Sequence, residues 1–426
     1  MQRITGARAL PGMLVLVVSV TAPRAVHAQG ASDTLRLEQV VSIAGEMNPA
    51  LQAAVLRAQA SNERATQAGA LPDPMLSLGL MNWAIDGFGP SEPMSMNSVQ
   101  LTQRFPWPGK LGFSEERARR LAEAQSLDAA ETEVGLYARV KSVYYRLAYI
   151  DRSLVIMADT RELLRNFLEV ASTMYAVGSG LQQDVLQAEV AIAQMTEEIT
   201  VTEQMRIALA ARLNALLGRE ATTPVGGLEL PLAEGEVPSV QDLIALAVTN
   251  RPALRAAEQR VKAAEAGYRA ARRQLYPDIS VTLAYGQRPD FADLATVMVG
   301  VSIPLFAGSR QLPLRREMAA MRSVEQARAM DLYNETFARL SELRAEAERA
   351  RSLSDLYYTS VLPQARAAVE SALSAYRVGG VDYMTLVANQ MTVNRYAIQT
   401  VRLIADHHRA LAEIEALVGG EIGGNS

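Results

Sequence analysis

The segment Asn48-Pro49-Ala50-Leu51-Gln52-Ala53-Ala54 returns in the second half of the chain, with one residue inserted, as Asn250-Arg251-Pro252-Ala253-Leu254-Arg255-Ala256-Ala257. Each copy runs through an alanine-rich stretch to a proline-marked break, at Leu71-Pro72-Asp73-Pro74 and at Leu275-Tyr276-Pro277-Asp278. Self-similarity on this scale means that whatever one half folds into, the other half folds into again. The fold must therefore be one unit built twice, with repeat one at about 36–220 and repeat two at about 237–419.

Beyond each break lie two segments with the period of two expected of strands that have one apolar face. Leu76, Leu78 and Leu80 alternate with Ser77, Gly79 and Met81, and Val99 and Leu101 with Gln100 and Thr102. In the second repeat Ile279, Val281, Leu283 and Tyr285 alternate with Ser280, Thr282, Ala284 and Gly286, and Val297, Val299, Val301 and Ile303 with Met298, Gly300 and Ser302. Strands of about 8 to 10 residues reach across a bilayer when tilted. No apolar run after the start of the chain is long enough for a membrane-spanning helix, so a crossing would have to use strands.

Each strand pair leads into a long helical pattern. From Leu111 to Val177 there is no proline, and apolar residues recur at spacings of three and four along Val140, Val143, Leu147, Ile150, Leu154 and Met157 and again along Leu164, Leu168, Ala171 and Tyr175, with Arg161 the one charge on the seam. That narrow stripe is a coiled-coil seam. Glycines at 178 and 180 predict a reversal into a second helix from Leu181 to about Leu217. Repeat two predicts the same, with a helix from about Leu314 to Val378, a break at Gly379-Gly380, and a return helix from about Tyr383 to Val418.

The first 28 residues read as a leader: Arg3 and Arg8, an apolar stretch from Met13 to Val20, and Val26-His27-Ala28 as a cleavage site. Taking away the three arginines of this segment moves the formal net charge from -4 to -7, which argues against a nucleic-acid partner. The chain has no cysteine, so an exported protein of this sequence relies on packing and assembly instead of disulfides and has no cysteine for a lipid anchor.

The helix starts at Asn48-Pro49 and Arg251-Pro252, the strand exit Gln103-Arg104-Phe105-Pro106-Trp107-Pro108-Gly109-Lys110, and the paired turns Tyr175-Ala176-Val177-Gly178 and Tyr376-Arg377-Val378-Gly379 together resemble the TolC-type outer-membrane factors. The resemblance implies an α+β membrane protein: a homotrimer in which each protomer gives four strands to one 12-stranded β-barrel and long antiparallel coiled-coil helices to a periplasmic α-barrel. Physics points the same way, since four strands cannot close and an open edge cannot face lipid. It also implies a Gram-negative outer-membrane location and, as partners, a periplasmic adaptor and an inner-membrane pump of the proton-driven kind. The Pro-Trp-Pro-Gly-Lys stretch is similar to members of the heavy-metal and cation efflux branch. The role implied is a passive exit duct for small molecules or metal cations, with the channel of a type I protein secretion system as the alternative.

Within that frame the adaptor-docking tip is expected at Tyr175, Val177, Gly178 and Leu181 in repeat one and at Tyr376, Val378, Gly379 and Gly380 in repeat two. For the gate, Thr385 falls opposite Asp184, so the second copy departs from the family's carboxylate pattern there; Asp382 lies three residues earlier. Three copies of Asp382 around one axis would attract cations and repel one another. The expected gate is Asp382 and Tyr383 narrowing the lumen, with Arg377 holding it shut. The plain alternative is a solvated turn aspartate.

No cofactor, metal site or catalytic constellation is expected. His407 and His408 point about 100° apart on a helix, which is poor geometry for joint ligation. Phosphate loops and the metalloprotease and serine-hydrolase motifs are missing from the sequence. A poreless periplasmic scaffold would put charges on both faces of the strand segments, whereas one face of each is apolar. A periplasmic enzyme would need a compact polar pocket.

Overall fold

The computed structural model describes residues 35–85, 92–289 and 291–422; the leader expected over residues 1–28 lies outside them. Repeat one comprises helices α1 (Leu37–Met47) and α2 (Pro49–Gly69), strands β1 (Met75–Met81) and β2 (Met96–Phe105), and helices α3 (Lys110–Ala176) and α4 (Gln182–Leu216). Repeat two comprises α5 (Val240–Asn250), α6 (Pro252–Arg273), β3 (Asp278–Gln287), β4 (Leu294–Ser302), α7 (Gln311–Leu356), α8 (Leu362–Arg377) and α9 (Tyr383–Val418). At 67 residues, α3 is about 100 Å long.

The four strands form one antiparallel sheet in the order β1-β2-β3-β4. Register lines up the apolar residues in rows: Leu76 faces Leu101, Leu101 faces Leu283, and Leu283 faces Val297. Since side chains alternate sides along a strand, this makes one continuous apolar face, and it is exposed: Leu78 at 76 % and Val297 at 71 %. Among the described residues no helix is long and apolar enough to cross a membrane. The sheet's outer surface is the part of the chain suited to lipid.

Two short helices precede each strand pair, and the two copies solve the same capping problem differently. Asn48 accepts hydrogen bonds from the N–H groups of Ala50 (2.9 Å) and Leu51 (3.1 Å) and donates to the Leu216 carbonyl at 2.9 Å. In repeat two the inserted Arg251 occupies the capping position and has no such acceptor. Glu131 of α3 takes over, accepting from Ala253 N–H at 3.0 Å while pairing with the Arg251 guanidinium at 3.0 Å. Both arrangements satisfy donors that a helix start leaves open.

Among the described residues the core lies between helices, in three larger clusters and a small alanine contact of Ala54, Ala58 and Ala129. One gathers Val40, Leu136, Tyr144, Leu147 and Leu213; a second gathers Leu243, Leu254, Leu340 and Ile414; the third, toward the hairpin ends, gathers Leu164, Phe167, Met195, Tyr376, Tyr383 and Leu386. A buried hydrogen bond from Thr160 to Asn394 (3.0 Å) ties α3 to α9 above that last cluster.

The expected helix from Leu314 to Val378 is interrupted. A π turn at Tyr357–Val361 separates α7 from α8, and the Leu362 N–H bonds back five residues to Tyr357. Pro363 is the physical reason: it has no N–H to give and its ring would collide with the carbonyl four residues earlier, and a wide turn relieves both. The helix also begins earlier than expected, at Gln311, because Pro313 falls in the first turn, where a proline is tolerated.

Candidate functional site

At the end remote from the sheet, each long hairpin reverses through the same turn. Gly178 and Gly379 both sit at φ 75°, a left-handed conformation that a side chain would strain. The hydrogen bonds repeat as well, with Ser179 N–H on the Met174 carbonyl (2.9 Å) and Gly380 N–H on the Ala375 carbonyl (2.8 Å). Turn chemistry thus gives two similar tips for reasons of backbone alone.

The side chains around the turns are a mixed set. Val177 and Val378 are the most exposed, at 72 % and 83 %, with Leu181, Tyr175 and Met384 also open. Both hairpin ends thus display apolar side chains to their surroundings. Tyr376 does not share in that display. It is buried within the protomer, its ring set 5.6 Å from Tyr383 at an interplanar angle of 66°, and its hydroxyl donates to the Asp184 carboxylate at 3.1 Å. Among the expected docking residues, Tyr376 therefore lies beneath the surface.

Of the three expected gate residues, Asp382 and Arg377 are exposed. Asp382 caps α9, its carboxylate accepting from Thr385 N–H at 2.8 Å, and hydrogen bonds from Thr385 hold its carboxyl below the usual range. It is at once the turn aspartate and an exposed negative charge at the hairpin tip. Tyr383 is placed otherwise than expected. It is wholly buried inside a single protomer, so its ring cannot line a lumen between protomers; it packs the tip from within. Its hydroxyl has no hydrogen-bond partner, and burial, with the Asp184 charge behind it, pushes its pKa up to about 12. Burial and then Asp184 likewise raise Tyr376 above the ordinary phenol.

The contact between Asp184 and Tyr376, which joins hairpin one to hairpin two, is not foreseen in the sequence. A tyrosine at the matching place of both turns and a carboxylate in only one copy were the available signals. Neither says that the two side chains face each other across hairpins.

The two histidines have separate structural roles. His407 is fully buried with Nδ1 2.9 Å from the Ala347 carbonyl, and His408 stacks on Tyr145 with Nε2 3.0 Å from the Pro231 carbonyl. Among the described residues no three His, Asp or Glu side chains gather as a metal would require.

A sheet with one lipid-suited face and two unpaired edges, joined to helical hairpins of about 100 Å, defines one subunit of a membrane-spanning channel with a long extramembrane tube. The chain belongs to the outer membrane efflux protein family, whose pattern it matches over residues 40–219 and 243–420. It is 24 % identical, over 90 % of its length and 86 % of the relative's, to the pyoverdine export outer membrane protein OpmQ of Pseudomonas putida. It is 21 % identical to the cobalt-zinc-cadmium resistance protein CzcC of Cupriavidus metallidurans, over 92 % of each chain. Among solved structures the channel-forming CusC superposes with a TM-score of 0.79 at 17 % identity, covering 93 % of this chain and 96 % of that one. The outer membrane protein VceC of Vibrio cholerae gives 0.78 at 17 % identity, covering 90 % and 96 %. The fold is that of a protomer of a trimeric outer-membrane channel. As a family member the protein is an outer-membrane exit duct of a tripartite efflux system, working with an adaptor and an inner-membrane pump, and it is not an enzyme.

Proposed function

We propose that this duct conducts small solutes, either organic molecules or metal cations, delivered by a proton-driven pump. It is gated at the hairpin tips, where Asp382 and Arg377 face the mouth and the contact between Tyr376 and Asp184 holds the hairpins together. The single observation that carries the gate is the placement of Asp382: exposed, ionised and held in one orientation by the start of α9. Threefold repetition would bring like charges near one axis, favouring cations and opposing complete closure. Tyr383 acts in this gate as a positioning residue only.

Docking of the adaptor is proposed at Tyr175, Val177, Gly178, Leu181, Val378, Gly379 and Gly380, with Tyr376 supporting them from below. Relatives named for pyoverdine export and for cobalt, zinc and cadmium resistance support solute efflux over type I protein secretion. Both kinds of cargo suit a channel whose selectivity comes from pore charge.

Single-channel conductance in a planar bilayer tests the reading, comparing the wild-type protein with Asp382→Ala. Small pores that widen and lose cation preference on substitution are expected. Pores that the substitution leaves unchanged would remove Asp382 from the gate, and trimeric, folded protein that forms no pore would overturn the conducting role.

A further inference from the structure

Inside one chain, the end of β2 is fastened to the start of β3. Asp278 accepts from Trp107 N–H at 2.9 Å and from the Lys110 ammonium at 2.7 Å, and Lys110 is buried in doing so. The Trp107 ring stacks on Tyr276 with centroids 5.4 Å apart and planes 12° apart, and the Arg273 guanidinium lies over the Tyr276 ring, 5.6 Å from its centroid. This clasp closes the seam between the two repeats on the tube side of the sheet.

Duplication requires a second seam of the same kind. The strand β4 is the copy of β2, and β1 is the copy of β3, yet β4 and β1 occupy opposite edges of the sheet. Their clasp has no place inside a protomer. Its parts are nonetheless present and unused. Leu71-Pro72-Asp73 stands where Tyr276-Pro277-Asp278 stands in repeat two, and Ile303-Pro304 stands where Phe105-Pro106 does; the cation comes two residues later in this copy, with Arg310 at the start of α7 as Lys110 is at the start of α3. Asp73 and Arg310 are exposed, and neither makes an ion pair among the described residues of the protomer. Leu305 and Phe306 are exposed at 81 % and 79 %, and Leu71 at 54 %.

We infer that Arg310 of one copy pairs with Asp73 of the next, with Leu305 and Phe306 covering Leu71, and that this latch sets the register in which the barrel closes. The inference rests on the trimeric channel reading. Register follows from the pairs already formed. The pair of Leu76 with Leu101 in the first hairpin superposes on the pair of Val281 with Val299 in the second. Carrying the β2–β3 pairs of Gln103 with Val281, Leu101 with Leu283 and Val99 with Tyr285 through the same superposition sets Val301 opposite Leu76, Val299 opposite Leu78, and Val297 opposite Leu80 of the neighbouring copy. Every one of these six side chains is now exposed, and the pairing joins apolar to apolar across the junction. A slip by one residue would set each valine against the Ser77 and Gly79 face and break the lipid-facing band. A slip by two would keep the faces but pull Arg310 away from Asp73.

The absence of native cysteine makes a direct test clean. Residues directly opposite on antiparallel strands have Cα atoms about 4.5–5.5 Å apart, within disulfide reach, while four residues off register adds about 13 Å. Leu78→Cys with Val299→Cys should give covalently closed trimers on oxidation, seen on a denaturing gel without reductant, whereas Leu78→Cys with Ala295→Cys should stay monomeric there. Cross-linking of the second pair, or none of the first in protein that light scattering shows to be trimeric, overturns the register. Wild-type protein that is not a trimer in detergent overturns the channel reading beneath it. For the latch, Arg310→Asp should lower the temperature at which trimers dissociate in detergent, and Asp73→Arg together with Arg310→Asp should restore it. No loss in the single variant, or no recovery in the double, overturns the ion pair.

Discussion

Removing the Tyr383 hydroxyl should leave the tip intact, and removing its ring should unfasten it. The ring is fully buried against Tyr376, Leu386 and their neighbours, so Tyr383→Ala opens a cavity where an aromatic was, at a cost of about 3–5 kcal/mol. Loss of the edge-to-face contact with Tyr376 adds about 0.5–1.5 kcal/mol. The hydroxyl is a different matter, because it is buried without a partner and a group in that state costs about 1–3 kcal/mol. Tyr383→Phe should therefore be neutral or stabilising. Hydrogen exchange of the amides between Leu386 and Gln390 reads the local opening directly. A loss of about 3 kcal/mol speeds exchange on the order of a hundredfold in Tyr383→Ala, with no acceleration in Tyr383→Phe. If the phenylalanine variant exchanges as fast as the alanine one, the hydroxyl is engaged and the account of this cluster is wrong. If neither changes, the ring does not hold the tip.

Three further outcomes follow from contacts described above. Tyr376→Phe and Asp184→Asn should each raise single-channel conductance, and the double variant should do no more than either alone, since both cut the same bond between hairpins. Asn48→Ala should lower stability by about 2 kcal/mol in denaturant unfolding, because it removes a helix cap and strands the Leu216 carbonyl; Arg57→Ala, exposed on the same helix, serves as the control. His407 is held neutral: burial first, and Arg351 with it, lower its pKa, against an opposing pull from the Ala347 carbonyl and Glu348. The unfolded chain then takes up a proton before the folded one does, so stability should fall as pH drops below about 6.5, and His407→Gln should flatten that fall in a thermal-shift series.

The sequence is most legible where a local rule acts alone. Alternation places all four strands, and α9 begins and ends where expected because Gly380 and the left-handed Gly419 bracket it. The limits of α3 and α4 fall within a residue or so of the expected ones for the same reason. What stays hidden depends on two parts of the chain meeting. The π turn is invisible because the apolar spacing continues through it, and only the packing of Tyr357 on Tyr396 and the needs of Pro363 show how the helix absorbs the fault. Tyr383 reads from its position as a residue at the mouth, but the second hairpin folds it inward. Glu131, which caps a helix more than a hundred residues away, carries no mark in the sequence of that task.

Two hairpins per chain and three chains make a ring of six hairpins, and six alike would offer an approaching partner six equivalent rotations. Among the described residues the π turn lies in the second hairpin of each chain and has no counterpart in the first. Because each helical residue advances about 100° around the axis, one wide turn rotates everything beyond it relative to an unbroken helix. The tips also differ in residues, with Leu181 and Asp184 on one and Asp382 and Thr385 at the corresponding stations of the other. Neighbouring tips thus alternate between two kinds of seat. With docking at the tips as proposed, a partner that reads them would settle in three orientations and meet the intervening three seats with a different surface, or with a second copy of itself turned to suit.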